Sequence, residues 1–188
     1  MSDNFAIAKL ATAWVALVIF VVFASVWVFR GEVDYRQARI GRVFDLAKEY
    51  RVTLGQTNAR FSDRWNAYEN DAVDPYNGGN IDERTYSDLV NRFLATDVNR
   101  DSFQALAGFY DSVGECVQVG LCDFWFARTV FGNDIVTFYH NMYPVLEAEN
   151  QQGRGGAGIL DFVDRMRRAD RGELRRDWRD RAIAWTGY

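Results

Sequence analysis

Three soft, reactive side chains stand out in this sequence: Cys116, Cys122 and the single histidine, His140. A structural zinc site needs four such ligands, usually with two cysteines two to four residues apart. Here the cysteines are six apart and no fourth soft ligand exists. A cysteine nucleophile activated by His140 would need a nucleophile turn and glycine-built oxyanion donors, and neither cysteine has them nearby. Both cysteines are therefore read as small buried apolar groups, and His140 as an ordinary histidine.

Carboxylates are more plentiful. Asp111 and Glu115 lie four apart and share a helix face, with Asp123, Asp134, Glu147 and Glu149 further on. Such pairs can do acid–base work or hold metals. A di-metal bundle requires Glu-x-x-His units, and His140 has no acid three positions before it. The pattern reads as a solvated acidic face. The acidic loop from Asp71 to Asp82 lacks the alternating ligands, central glycine and final glutamate of a calcium loop. Gly153 to Gly158 (GRGGAG) lacks the lysine and hydroxyl of a phosphate-binding loop, and no strand precedes it. The aromatic group Phe109, Tyr110, Phe124, Trp125, Phe126, Phe131, Phe138, Tyr139 and Tyr143 has the spacing of a helical core rather than a pigment pocket. We therefore assign no catalytic, metal or cofactor-binding residue and expect no enzyme.

The elements around these residues are helical, and the first of them is oily. Leu10 to Phe29 carries no charge over twenty residues, about 30 Å as a helix and enough to cross a bilayer. Lys9 and Arg30 bracket it, and Trp14 and Trp27 lie near its ends, at headgroup depth. Leu10, Trp14, Phe20, Phe23, Trp27 and Phe29 are the expected membrane anchors. The rival is a signal peptide cut after Ala24, but the apolar run continues through Val26–Phe29. Arg30, Arg36, Arg39 and Arg42 follow the segment and are expected to meet lipid headgroups. Their excess over Lys9 and the terminal amine puts the C-terminal domain in the cytoplasm, as in a single-pass inner-membrane protein with its N-terminus outside. There the cysteines would be reduced and a disulfide is not expected.

Charge along the chain runs basic, acidic, basic. Residues 30–60 sum to +3, 61–150 to −10 and 151–188 to +3. A central domain that repels phosphate excludes nucleic acid as a partner. The profile suits a membrane-proximal basic stalk below a water-facing body.

The expected architecture is all-α, one membrane helix in residues 1–30 followed by a cytoplasmic bundle. Residues 31–70 form a stalk, bending at Gly31 or Gly55, with Ile40, Val43, Phe44, Ala47, Tyr50 and Leu54 on one face. Residues 71–150 form the body. There, Tyr86, Leu89, Val90 and Phe93 line one helix. Phe103, Leu106, Ala107, Tyr110, Val113 and Val117 line the next, capped by Asp101 or Ser102 and stopped near Gly120. A short helix from Phe124 to Phe131, capped by Asp123, closes at Gly132. A further helix runs from Asn133 to about Glu149, with Pro144 as a kink site. Residues 151–158 read as a flexible linker, and 159–188 as an arginine-rich tail of two short helices lined by Leu160, Val163 and Met166, then Leu174, Trp178, Ala182 and Trp185.

The stretch from Phe103 to Gly114 (FQALAGFYDSVG), followed by Val119-Gly120-Leu121-Cys122-Asp123, Val130-Phe131-Gly132 and Phe138-Tyr139-His140-Asn141-Met142-Tyr143, resembles a bacterial family of small helical domains of unknown function, often carrying an N-terminal membrane helix. The likeness covers roughly residues 33–150. It rests on packing and turn signals, implies an α-helical fold, and carries over no functional residue.

The resulting functional expectation is a non-catalytic accessory or scaffolding subunit of a larger membrane complex, for example a respiratory or photosynthetic one. Its partners would be membrane lipids and other integral subunits, gripped through the tail residues Arg175, Trp178, Arg179 and Trp185. The alternative is a membrane-tethered sensor binding a small ligand or cation.

Overall fold

The computed structural model describes the backbone of residues 2–72 and 82–174; in the first helix it describes side chains at Trp14, at 17–28 and from Arg30 onward. Among the described residues every regular element is a helix. These are α1 (Ser2–Thr53), α2 (Gly55–Ala72), α3 (Glu83–Phe93), α4 (Asp97–Gln118), α5 (Phe124–Gln151) and α6 (Ala157–Asp170). The all-α architecture is thus as expected. Among the described residues no helix is long and apolar enough to cross a membrane. The anchor positions Leu10 and Phe29 have side chains outside those residues.

α1 is unbroken for 52 residues, about 78 Å at the standard rise. It passes Gly31 without a break, and the chain breaks at Leu54, just before Gly55 opens α2. Backbone bonds from Leu54 N to Tyr50 O and from Asn58 N to Leu54 O, both 2.8 Å, carry the chain across that break. The expected cap at Asp123 forms, and Asp82 supplies a second that the sequence reading did not name. Asp82 accepts from Thr85 N at 2.8 Å and Asp123 from Phe126 N at 2.9 Å, satisfying orphan donors at the starts of α3 and α5. α4 ends as expected, with Gly120 in the left-handed region at φ 78°.

Three local expectations are corrected. α4 begins at Asp97 rather than near Asp101, and Ser102 points its hydroxyl back to Val98 O instead of capping. α5 is a single helix that runs through Gly132 and Pro144. Gly132 is there for packing, since a Cβ on it would come within 3.0 Å of Met166 Cε on α6. Gly153–Gly158 is a structured turn, not a loose tether. Gly153, Gly155 and Gly156 take positive φ, and Gly158 lies backbone-to-backbone against Gly114 of α4.

This last contact fixes α6, whose most extensive packing is along α4. The α6 N-terminus has no side-chain cap of its own, and Asp111 on α4 supplies one. Its Oδ1 accepts from Gly158 N at 2.7 Å and Ile159 N at 3.2 Å. Beneath lie Ile159, Phe162 and Val163, joined to one core with Phe103, Leu106, Tyr110, Val113, Phe131, Ile135, Phe138 and Met142. The aromatic residues are mutually packed, Phe103 stacking on Phe138 at 5.6 Å and Phe109 meeting Phe131 edge-on at 5.7 Å.

One polar cluster ties α1 into this core. Tyr50 Oη donates to Asp134 Oδ2 at 3.2 Å, which leaves Tyr110 to donate to Tyr50 across 3.0 Å. Burial raises the pKa of Tyr50 from 10.0 to about 12 and also raises that of Tyr110. Tyr86, half-buried with its hydroxyl on Asn141 O at 3.0 Å, is likewise raised to about 12, first by burial. A phenol whose folded pKa is raised contributes stability that is complete below its unfolded value and lost as pH rises through the folded one. Stability against urea is therefore expected to be level near neutrality and to fall between pH 10 and about 12. The double substitution Tyr50→Phe, Tyr86→Phe should flatten that fall while lowering the neutral-pH plateau. A fall of unchanged steepness in the double variant would contradict this.

Candidate membrane-facing surface

The candidate site is built from α1 and from the α4–α5 turn that grips it. Between Trp14 and Val28, eleven large apolar side chains are more than half exposed, among them Phe20 (71%), Phe23 (72%) and Trp27 (80%). They point in every direction around the helix, since consecutive residues Leu17 to Phe23 are all exposed. Covering a side chain of this size is worth about 1.5–3 kcal/mol, so leaving eleven in water forfeits on the order of 20 kcal/mol. That exceeds the whole stability of a typical domain. The one described hydroxyl in the stretch is satisfied within the helix, Ser25 Oγ donating to Val21 O at 2.7 Å. The only other polar atoms on the described side chains of this stretch are the indole N–H groups of Trp14 and Trp27, at its two ends.

The four arginines after this stretch divide. Arg30 and Arg42 are exposed. Arg36 and Arg39, also expected at headgroups, turn into the protein. Arg36 Nε lies 3.7 Å from the buried carboxylate of Asp123, and Arg39 Nη2 donates to Cys122 O at 3.0 Å. Tyr35 adds a hydroxyl bond to Gly120 O at 3.3 Å. Further along, Phe44 packs against Phe126 with ring centroids 4.8 Å apart. The stalk is thus held on one flank of the body by the residues 120–126.

Cys116 and Cys122 are joined in a disulfide. This corrects the expectation of two reduced thiols. The chain reverses after α4, with Leu121 N and Cys122 N both donating to Cys116 O, and that reversal brings the two side chains together. A spacing of six reads as unsuited to metal; across a left-handed turn at Gly120 it suits a bridge. His140 is exposed, and its backbone carbonyl lies 3.4 Å from Tyr86 Oη. No group of three or more metal-ligating side chains gathers among the described residues.

A second feature is an open cleft of about 770 Å³ where α3, α4 and α5 meet the glycine turn. Asn91, Arg100, Gln104 and Arg154 offer donors there, over a floor of Leu94, Phe103 and Val145. Of its two carboxylates, Asp111 is already committed to capping α6, which leaves Glu149. The arrangement could hold a small polar molecule and presents no nucleophile. The expected partner-binding residues Arg175, Trp178, Arg179 and Trp185 lie outside the described residues, as does most of the acidic loop, residues 73–81. The role of Arg36 and Arg39 in gripping Cys122 and Asp123 had no sequence signal, because the contacts span more than 80 residues. No protein-family model, no curated protein and no solved structure matches the chain.

Proposed function

We propose that the chain is a membrane-anchored accessory subunit without catalytic activity, α1 crossing the lipid and the helical domain standing at its surface to engage neighbouring proteins. The observation that carries this reading is the apolar girdle from Trp14 to Val28, which no other part of the described chain covers. A bilayer satisfies such a surface on all sides at once. The nearest candidates for nucleophilic chemistry, the two cysteines, are spent on a structural bridge. Basic Arg30 and Arg42 at the lipid exit and the arginine-rich tail beyond residue 174 supply the charge for headgroups and acidic partners.

On sidedness two signals disagree. Flanking arginines favour the cytoplasmic face, whereas a disulfide persists on an oxidising one. We give the bridge more weight, because structural disulfides are rare in a reducing cytosol, while the charge count is only a bias. The domain is thus proposed to face the oxidising side.

Extraction in mild detergent at native expression tests the subunit role. The chain is expected to migrate in an assembly of fixed composition, and Trp178→Ala with Arg179→Ala should release it without loss of the anchor. A lone monomer under those conditions would overturn the role. The donor-lined cleft supports a second reading, a tethered sensor of a small polar ligand. Stabilisation in a thermal-shift screen of nucleotides, divalent cations and headgroup analogues, abolished by Arg100→Ala, would favour it.

A further inference from the structure

Outside the apolar girdle, two exposed hydrophobic side chains stand close together where no packing explains them: Val119 (66% exposed) and Leu121 (61%), on either side of Gly120. They form the tip of the α4–α5 turn. That tip is rigid by construction. The Cys116–Cys122 bridge closes it, the amides of Leu121 and Cys122 both bond to Cys116 O, and Gly120 holds the left-handed conformation the reversal needs.

The tip is also placed at a defined height on α1. Tyr35 Oη reaches Gly120 O, and Arg39 reaches Cys122 O. Side chains on a helix lean toward its N-terminus, so each covers the turn before its own Cα. Gly120 therefore sits level with the turn of residues 31–35, about 3–9 Å past Phe29 at 1.5 Å per residue. The headgroup layer on each side of a bilayer is about 5–8 Å deep. We infer that the disulfide-closed tip, Val119 and Leu121, dips into the lipid interface beside α1 and forms a second, shallow membrane contact that fixes how the domain stands on the bilayer.

This inference rests on the reading of α1 as a membrane helix. Its occupant is lipid, because the tip rests against α1 within about two turns of the end of the apolar girdle, with exposed Arg30 between them. A tip with its backbone already closed loses little backbone freedom on insertion. The stapled turn thus acts as a foot that prevents the domain from swivelling about its stalk.

The test uses the full chain in phosphatidylcholine vesicles, with Leu121, Val98 or Phe20 replaced in turn by an environment-sensitive fluorescent amino acid, so that no new thiol disturbs the bridge. Val98 is an exposed apolar control at the opposite end of α4. At position 121 we expect a blue-shifted emission, quenched by a nitroxide on the lipid headgroup and little by one deep in the acyl chain. Position 20 should be quenched by the deep nitroxide and position 98 by neither. A label at 121 that behaves like the one at 98, while position 20 remains in lipid, would overturn the foot and leave the anchor standing. A label at 20 in water would overturn the anchor itself, and the foot with it.

Discussion

Gly114→Val is expected to release α6 from the body and to destabilise the domain by about 3 kcal/mol or more. A Cβ at this position would overlap the backbone of Gly158, and backbone cannot move aside as a side-chain terminus can. The loss would spread to everything the contact positions. Asp111 would no longer reach Gly158 N and Ile159 N, and the buried side chains of Ile159, Phe162 and Val163 would be drawn from their seats. Urea denaturation in detergent should show the drop, and trypsin should cut early at Arg165 and Arg167 on α6. Gly108→Ala on the same helix is the contrast. Nothing lies within 4 Å of its added carbon, so it should be neutral or stabilise by about 0.5–1 kcal/mol. Equal behaviour of the two variants would contradict the close α4–α6 crossing.

Removing the bridge with Cys116→Ser and Cys122→Ser is expected to cost about 2 kcal/mol, from the loop-closure entropy of so short a loop. The effect should not stop at stability. The carbonyls of Gly120 and Cys122 receive Tyr35 and Arg39, so a loosened turn weakens the grip on the stalk. Proteolysis near residues 30–40 should quicken in this variant. The same bridge reports on compartment. In intact cells an alkylating agent should leave the pair unmodified until a reductant is added, after which two groups are attached. Alkylation of both thiols without reductant would show a reducing location and restore the orientation that the flanking arginines favour.

Much of the fold is legible in the sequence because it is local. The stripes Leu89, Val90, Phe93 and Phe103, Leu106, Tyr110, Val113 are all buried, and helical periodicity alone reveals them. The cap at Asp123 and the stop at Gly120 are also local devices. What the sequence hid is the tertiary use of small and polar residues. Gly132 reads as a helix stop but serves as a bed for Met166. Gly158 reads as linker but is the contact point of two helices. Asp111 reads as part of a solvated acidic face but caps a helix 47 residues away. Arg36 and Arg39 read as headgroup ligands, and the fold spends them on Asp123 and Cys122 instead. In each case the residue type is correct for either role, and only a long-range neighbour decides.

The most direct test of the account is an alkaline carbonate wash of membranes from cells making the full chain. A lipid-spanning α1 keeps the protein in the membrane pellet through the wash and gives it up to detergent alone. Recovery of the chain in the aqueous supernatant, without detergent, would contradict it.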